Sequence, residues 1–294
     1  MQSETQPKKN NKKNIKDLSI ATLLVVPAFI FWASIATIVV GFIVIAVGDE
    51  EECNIARVPV QGVLMTTDNG LGMLLGMGSV TSADSIIEDI QEADNDERIK
   101  AIILDIDSPG GTPLAGDEIM KAIQSTVKPT VAVVRDRGTS AAYWAAVGAD
   151  HIIASAVSDV GSIGVTMSYL ELASSTDFEG SRWIDISSGE YKDAGQPERP
   201  LTQKEREHFQ GQVDNVHEYM VDQIASTRDT LSREEVAELA DGRAYLGAEA
   251  LELKLIDEIG GFDTALSYFE NGIFAGEENT LCPTKGGGLE DLIY

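Results

Sequence analysis

No charged residue occurs between Leu18 and Gly48. In a chain of 294 residues this run limits the fold more than any other feature, because so long an apolar stretch has few places to go in water. About 20 apolar residues cross a bilayer core, so the run suffices for one tilted span and is too short for two helices and a turn. Pro27 marks a kink or the entry of the span. Lys8, Lys9, Lys12, Lys13 and Lys16 precede it, and Asp49-Glu50-Glu51-Glu52 follows it. The positive-inside rule counts the lysines, which places residues 1–17 in the cytoplasm and residues 49–294 outside the cell membrane. The alternative is a cleaved secretory signal, whose apolar core is only about 7–15 residues and ends at small residues. The longer run here favours a retained, single-pass signal-anchor over residues 18–48.

Charge divides the chain at the same place. The first 17 residues carry a net +3, which leaves −29 on the rest of a chain whose total is −26. Such a surface repels phosphates and anionic headgroups, so nucleic acid is not expected as a ligand of the outer part. The acidic excess resembles that of proteins from salt-loving organisms, where carboxylates hold water and salt screens their repulsion. An ordinary acidic surface is the other reading. The two cysteines, Cys53 and Cys282, stand in no metal-ligand spacing. They form either one disulfide outside the cell or two free thiols. Acidic residues precede Cys53, which speaks against a lipid-modified cysteine.

Residues 49–275 read as one α/β domain, with 276–294 as a flexible tail around Gly286-Gly287-Gly288. Ile55–Leu64 is the first expected strand, and the glycine-rich 70–78 stretch a flexible apolar loop. Thr81–Asp94 has helical spacing, with Ile86, Ile87 and Ile90 on one face. Ile99–Ile106 is an apolar run suited to a buried parallel strand. Gly116–Thr126 is helical, Thr130–Val134 a strand, Ser140–Val147 a short helix and His151–Ala154 a short strand. Trp183–Ile186 is strand-like, and Thr202–Arg228 is a long polar helix. Strands alternating with helices imply a parallel sheet with crossovers.

Two short motifs carry the chemistry. Ser140 follows a strand through Gly138-Thr139 and opens a helix, a position that exposes a hydroxyl beside helix N-terminal amides. A serine hydroxyl needs a base to become a nucleophile. The three histidines are poor candidates, since His151 lies in an apparent strand and His208 and His217 on the polar helix. A lysine serves if its surroundings lower its pKa. Lys192, in Ser188-Gly189-Glu190-Tyr191-Lys192-Asp193, is the candidate base, against the plain alternative of a surface charge. The other motif is Asp107-Ser108-Pro109-Gly110-Gly111, read as a turn just past the strand Ile99–Ile106. Glycines there permit close backbone approach, so an amide from Gly111 and one from Ala141 could hold an oxyanion. An ordinary Pro-Gly turn is the alternative. Ser108 is a competing nucleophile. Ser162, in Gly161-Ser162-Ile163-Gly164, is either a partner that orients the lysine amine or a polar turn residue.

The order of these motifs resembles signal peptide peptidase A, also called protease IV. Asp-Ser-Pro-Gly-Gly is followed by Ser140-Ala141-Ala142-Tyr143, then Gly161-Ser162-Ile163-Gly164, then Ser-Gly-x-x-Lys192-Asp193. Ala240–Tyr245 and Leu255–Gly260 are similar to that family's C-terminal region. The resemblance implies a Clp protease/crotonase-like fold with a parallel sheet and flanking helices, preceded by one transmembrane helix. It also implies a Ser-Lys dyad with Ser140 as nucleophile, Lys192 as general base, Gly111 and Ala141 as oxyanion amides and Ser162 as the lysine's partner. The implied substrates are remnant signal peptides or other hydrophobic peptides, with no cofactor and no metal. Short members of that family assemble into a ring or dome, and the lysine can come from a neighbouring subunit. Two departures stand out: Ala141-Ala142 where many relatives have Gly-Gly, and Gln196-Pro197 where they often have Ser-Pro. The rival functions are a membrane-tethered scaffold that has lost catalysis, a crotonase-like acyl-thioester enzyme, and a Clp-like membrane peptidase with several later spans. No later apolar run is long enough for the last of these.

Overall fold

The computed structural model describes residues 53–67, 79–180, 183–276 and 279–283, together with Phe31, Trp32, Ser34, Ile35 and Thr37, which are helical. Most of the expected span 18–48, the 70–78 loop and residues 284–294 therefore lie outside the described residues. Among the described residues, no helix is long and apolar enough to cross a membrane. The chain divides into two compact units, Met1–Glu52 and Cys53–Tyr294. The second unit carries every serine, glycine and lysine motif singled out above.

This unit opens with strand β1 (Ile55–Met65), β2 (Val80–Ser82), helix α1 (Ala83–Asn95), β3 (Ala101–Gly111), α2 (Pro113–Gln124), β4 (Thr130–Thr139) and α3 (Ala141–Ala146). It continues with β5 (His151–Ala154), β6 (Asp159–Gly161), α4 (Ala173–Glu179), α5 (Gln203–Thr227) and α6 (Arg233–Leu239). It closes with β7 (Ala244–Leu246), α7 (Gly247–Glu252), β8 (Glu258–Ile259), α8 (Phe262–Tyr268) and a π-helical turn at Phe269–Ile273. The sheet order is β2-β1-β3-β4-β5-β8, with β6 beside the far end of β4. Every pair is parallel except β6 with β7.

The alternation of the sheet explains its two cores. Ile102, Leu104 and Ile106 of β3 face a large cluster with Ile86, Ile90, Ile119, Met120, Tyr143 and Trp144. Ala101 and Ile103 face the other way, onto Val131, Val133, Ile153, Ala265 and Phe269. Both faces of β3 are covered, which is why its sequence is a continuous apolar run rather than an alternating one. Asp105 breaks that run and is fully buried. Arg57 on β1 donates to its Oδ2 twice, at 2.9 and 2.7 Å, and lies 4.9 Å over the Phe262 ring. An isolated buried carboxylate would be costly, so the pair belongs together or not at all.

Several expectations are corrected by the structure. The strand expected to stop at Ile106 runs on to Gly111, and the one expected to stop at Val134 runs on to Thr139. Their polar and glycine-rich ends look like turns by local propensity, but β1 and β6 supply ladder partners: Val63 pairs with Gly110, Leu64 with Gly111, and Gly138 with Val160. Gly110 and Gly111 are thus strand residues, not a Pro-Gly turn. Thr81 and Ser82 belong to β2, and the helix begins at Ala83. Trp183–Ile186 is not a strand.

Within the second unit, the last described residues return to Asn54 and Ile55. Asn54 N and Ile55 N both donate to Thr280 O, and Cys282 N donates to Ile55 O at 2.8 Å. Cys53 and Cys282 form a disulfide with a Cα–Cα distance of 4.9 Å, so the alternative of two free thiols is set aside. The bridge closes a sequence separation of 229 residues. Replacing both cysteines by serine in the full chain should destabilise this unit by about 2–4 kcal/mol, read as a lower urea midpoint. An unchanged midpoint would show that the backbone bonds alone hold the segment.

Candidate active site

Strand β4 delivers Ser140 to the start of α3 in a conformation that serines rarely adopt, with φ 55° and ψ −124°. Such backbone strain costs about 1–3 kcal/mol and persists only where the surroundings over-determine it. Here they do. Ser140 N donates to Gly161 O at 2.7 Å, and Ser140 O accepts from Trp144 N at 3.0 Å. All of Ala141–Ala146 is buried, so α3 is an apolar plug with no solvent face to turn. Tyr143 Oη donates to Leu255 O at 2.8 Å inside that plug. Ser140 itself is half-buried, and its hydroxyl makes no hydrogen bond among the described residues.

The end of β3 lies against this elbow. A Cβ on Gly110 would sit 2.7 Å from Thr139 O, 2.8 Å from Ser140 Cβ and 2.9 Å from Ala141 N. Gly110 also has φ +98°. A Cβ on Gly111 would fall 1.8 Å from Leu64 O. In a parallel ladder one residue bonds the two that flank its partner. Leu64 is paired with Gly111, and Thr112 N donates to Leu64 O at 2.9 Å. Leu64 O is thereby taken by the residue that follows Gly111. Gly110 N is already used, donating to Ser108 Oγ at 3.0 Å. Ser108 is fully buried and donates to Gly62 O at 2.6 Å. With its hydroxyl enclosed and engaged, Ser108 is no rival nucleophile.

Ser162 follows Gly161, the residue that pins Ser140, and also has a positive φ of 50°. Its amide donates to Arg243 O at 2.8 Å and its hydroxyl to Gly242 O at 3.0 Å. The structure thus brings Ser140, Ala141, Gly110, Gly111 and the Gly161-Ser162 turn together. Lys192 stands elsewhere, exposed in the turn Gly189–Gly195, with its amide donating to Gly189 O at 3.1 Å. Its amine makes no hydrogen bond or ion pair among the described residues. None of the histidines bonds Ser140: His151 stacks on Tyr268 at 4.3 Å, His208 lies 4.9 Å from the Tyr191 ring, and His217 meets Ala240 O. Among the described residues, no group of three His, Cys, Asp or Glu could hold a metal ion.

The motif reading passed over one ion pair. Glu205, buried on α5, accepts from Arg199 Nη2 at 2.6 Å, from Nη1 at 2.8 Å and from Thr202 N at 2.8 Å. The Arg199 bonds first, and then the Thr202 amide, hold its carboxyl down to about 2, against an ordinary 4.5. The stability it contributes is therefore complete above pH 4.5 and is lost as pH falls toward 2. The Thr202-x-x-Glu205 capping box was its visible signal.

A strained, half-buried serine between a strand and a buried helix on an α/β scaffold is an arrangement in which a hydroxyl can serve as a nucleophile. Residues 122–273 match the model of peptidase family S49, and the chain belongs to that family. The chain is similar to the putative protease MJ0651 of Methanocaldococcus jannaschii, 32% identical over 62% of this chain and 58% of that protein. It is also similar to the chloroplastic serine protease SPPA of Arabidopsis thaliana (33%; 67% of this chain, 29% of that one) and to protease 4 of Haemophilus influenzae (28%; 64% and 31%). The match spans less than two thirds of each of these relatives. Among solved structures, a serine-to-alanine mutant of the 1510-N membrane-bound stomatin-specific protease is similar at 15% identity and a TM-score of 0.49, over 79% of this chain and 99% of that one.

Gly110→Ala should destabilise the fold by about 1–3 kcal/mol by overpacking and abolish labelling of Ser140 by a fluorophosphonate. Gly211→Ala, where a Cβ meets nothing within 4 Å, should leave both intact. Equal behaviour of the two variants would remove the close-approach argument.

Proposed function

We propose that the chain is a serine peptidase with a Ser-Lys dyad. The observation that carries this reading is the strained Ser140 elbow with Gly110, the residue before Gly111, packed against it. Neutral Lys192 takes the proton from Ser140 Oγ as the oxygen attacks the substrate carbonyl. The Gly111 and Ala141 amides receive the oxyanion, each lowering the barrier by about 2.7–4 kcal/mol. The lysine ammonium then protonates the leaving amine, and water hydrolyses the acyl-enzyme. Ser162, with lone pairs left on its hydroxyl, orients the amine. The parallel sheet with helices on both faces supports the Clp protease/crotonase-like fold.

The exposure of Lys192 bears on how the dyad is completed. A lysine acts as a base when its surroundings are dry enough to favour the neutral amine. In the single chain it stands in solvent, and a second copy would supply both the burial and the serine. The segment around it exposes Leu170 (69%), Trp183 (63%), Ile184 (74%) and Ile186 (98%). Large apolar side chains left in water on one segment favour a docking face. We therefore read the active form as a homo-oligomeric ring or dome with the dyad formed across its contacts. The apolar run 18–48 supports a membrane anchor with the lysine-rich end in the cytoplasm. The disulfide supports an oxidising, extracytoplasmic location for the rest. A hydrophobic peptide such as a signal-peptide remnant, laid along a strand edge, is the substrate this setting favours.

Ser140→Ala and Lys192→Ala should each lower hydrolysis of a fluorogenic hydrophobic peptide by at least about 10³-fold, the scale of a lost nucleophile or base. Co-assembling the two inactive variants should restore activity, because a contact between copies then joins an intact serine to an intact lysine. Full activity in either variant alone would end the proposal. Silence of the mixture would confine the dyad to one chain.

A further inference from the structure

The turn that carries Lys192 is fastened to a part of the molecule with almost no other packing. Between Gln203 and Tyr219 on α5 the only buried residue is Glu205. A buried carboxylate on an otherwise exposed stretch of helix calls for a reason, since burial of charge costs more than a cap requires. The capping box needs only Thr202 and Glu205. Arg199 goes beyond it. Its two terminal nitrogens grip both carboxylate oxygens, at 2.8 and 2.6 Å. Its Nη2 also donates to Asp193 O at 3.1 Å and lies 3.5 Å from Asp193 Oδ2. Asp193 is the residue after Lys192. The same turn is held more loosely elsewhere, by an exposed Lys204–Glu190 pair at 2.7 Å and by Tyr191 against His208. Exposed pairs of that kind contribute little, whereas a bidentate arginine also sets direction.

We propose that Arg199, gripped by Glu205, is a positioning residue for Lys192. It ties the backbone beside the lysine to the first turn of α5, so that the amine projects from a fixed turn instead of a free loop. This rests on the proposed role of Lys192 as base. Misplacing a catalytic group by about 1 Å can cost about 10²-fold in rate, and a turn released from α5 would move by more than that. The clasp lies outside both apolar clusters, so loosening it should leave the fold intact.

The test uses the full chain in detergent, a fluorogenic hydrophobic peptide, and the variants Arg199→Ala, Arg199→Lys, Glu205→Gln and Lys192→Ala. Arg199→Ala should lower kcat by about 10²-fold with KM unchanged. Its acid limb of kcat/KM should move to higher pH, because a wandering, solvated lysine is harder to deprotonate. Arg199→Lys and Glu205→Gln should fall between it and the wild type, and in all three the urea midpoint should fall by less than the loss of kcat would require if unfolding caused it, because the pair also contributes stability. Wild-type kcat and pH limb in Arg199→Ala, with Lys192→Ala inactive, would overturn the positioning role and leave the dyad standing. A fall in kcat that tracks a fall in the urea midpoint, with the limb unmoved, would overturn it as merely structural. Should Arg199→Ala not fold, the two milder variants decide by the same criteria. An active Lys192→Ala would remove the dyad itself, and this proposal with it.

Discussion

The whole site depends on how near one strand's backbone can come to another's. Gly110 rests on Thr139, Ser140 and the Ala141 amide at distances that leave no room for a side chain. That contact presses the tip of β3 against the elbow of β4 and fixes where the Gly111 amide stands relative to the Ser140 hydroxyl. The strain in Ser140 follows from it. A serine left to itself would relax out of a positive φ, but Gly161 O holds its amide and the buried α3 holds everything after it. In the proposed mechanism, preorganisation of this kind puts the cost of orienting the reacting groups into folding, before any substrate arrives.

The scaffold's job is to keep these strand ends stiff. β3 is buried on both faces, and each face has its own apolar cluster. Its fully buried charge, Asp105, is matched by Arg57 from the next strand. The two ends of the unit are tied together by Cys53–Cys282 and by the bonds of Thr280 and Cys282 to Asn54 and Ile55. The base candidate sits on a different kind of platform. Its turn is held to a mostly exposed helix by polar contacts, as suits a group that must meet its partner from another copy in the proposed assembly.

Much of the fold was legible in order and type. Ile99–Ile106 read as a buried parallel strand because it is an apolar run of strand length, and the strand–helix alternation pointed to a parallel sheet. Ser140 read as a strand-to-helix junction. The strand ends were not legible, because Ser-Pro-Gly-Gly and Arg-Gly-Thr score as turns until a neighbouring strand offers ladder bonds. The sequence set Ser108 below Ser140 only because a serine before proline is usually a turn former. Burial and two hydrogen bonds separate them. The Arg199–Glu205 pair was not legible, because even the Thr202-x-x-Glu205 spacing explains Glu205 as a cap without the arginine.

By itself the sequence determined which segments had to be inside, where charge stops and resumes, and which motifs occur in which order. These follow from hydrophobic periodicity and from the chemistry of single residue types, both of which are local properties. Tertiary structure alone decided that Gly110 and Gly111 are strand residues, that Gly110 packs against Ser140, that Cys53 meets Cys282, and that Arg199 binds the backbone beside Lys192. Each of these joins groups far apart in the chain or resolves a direction in space. Neither is encoded by any short stretch of residues, because both depend on the register and closeness of elements that only packing sets.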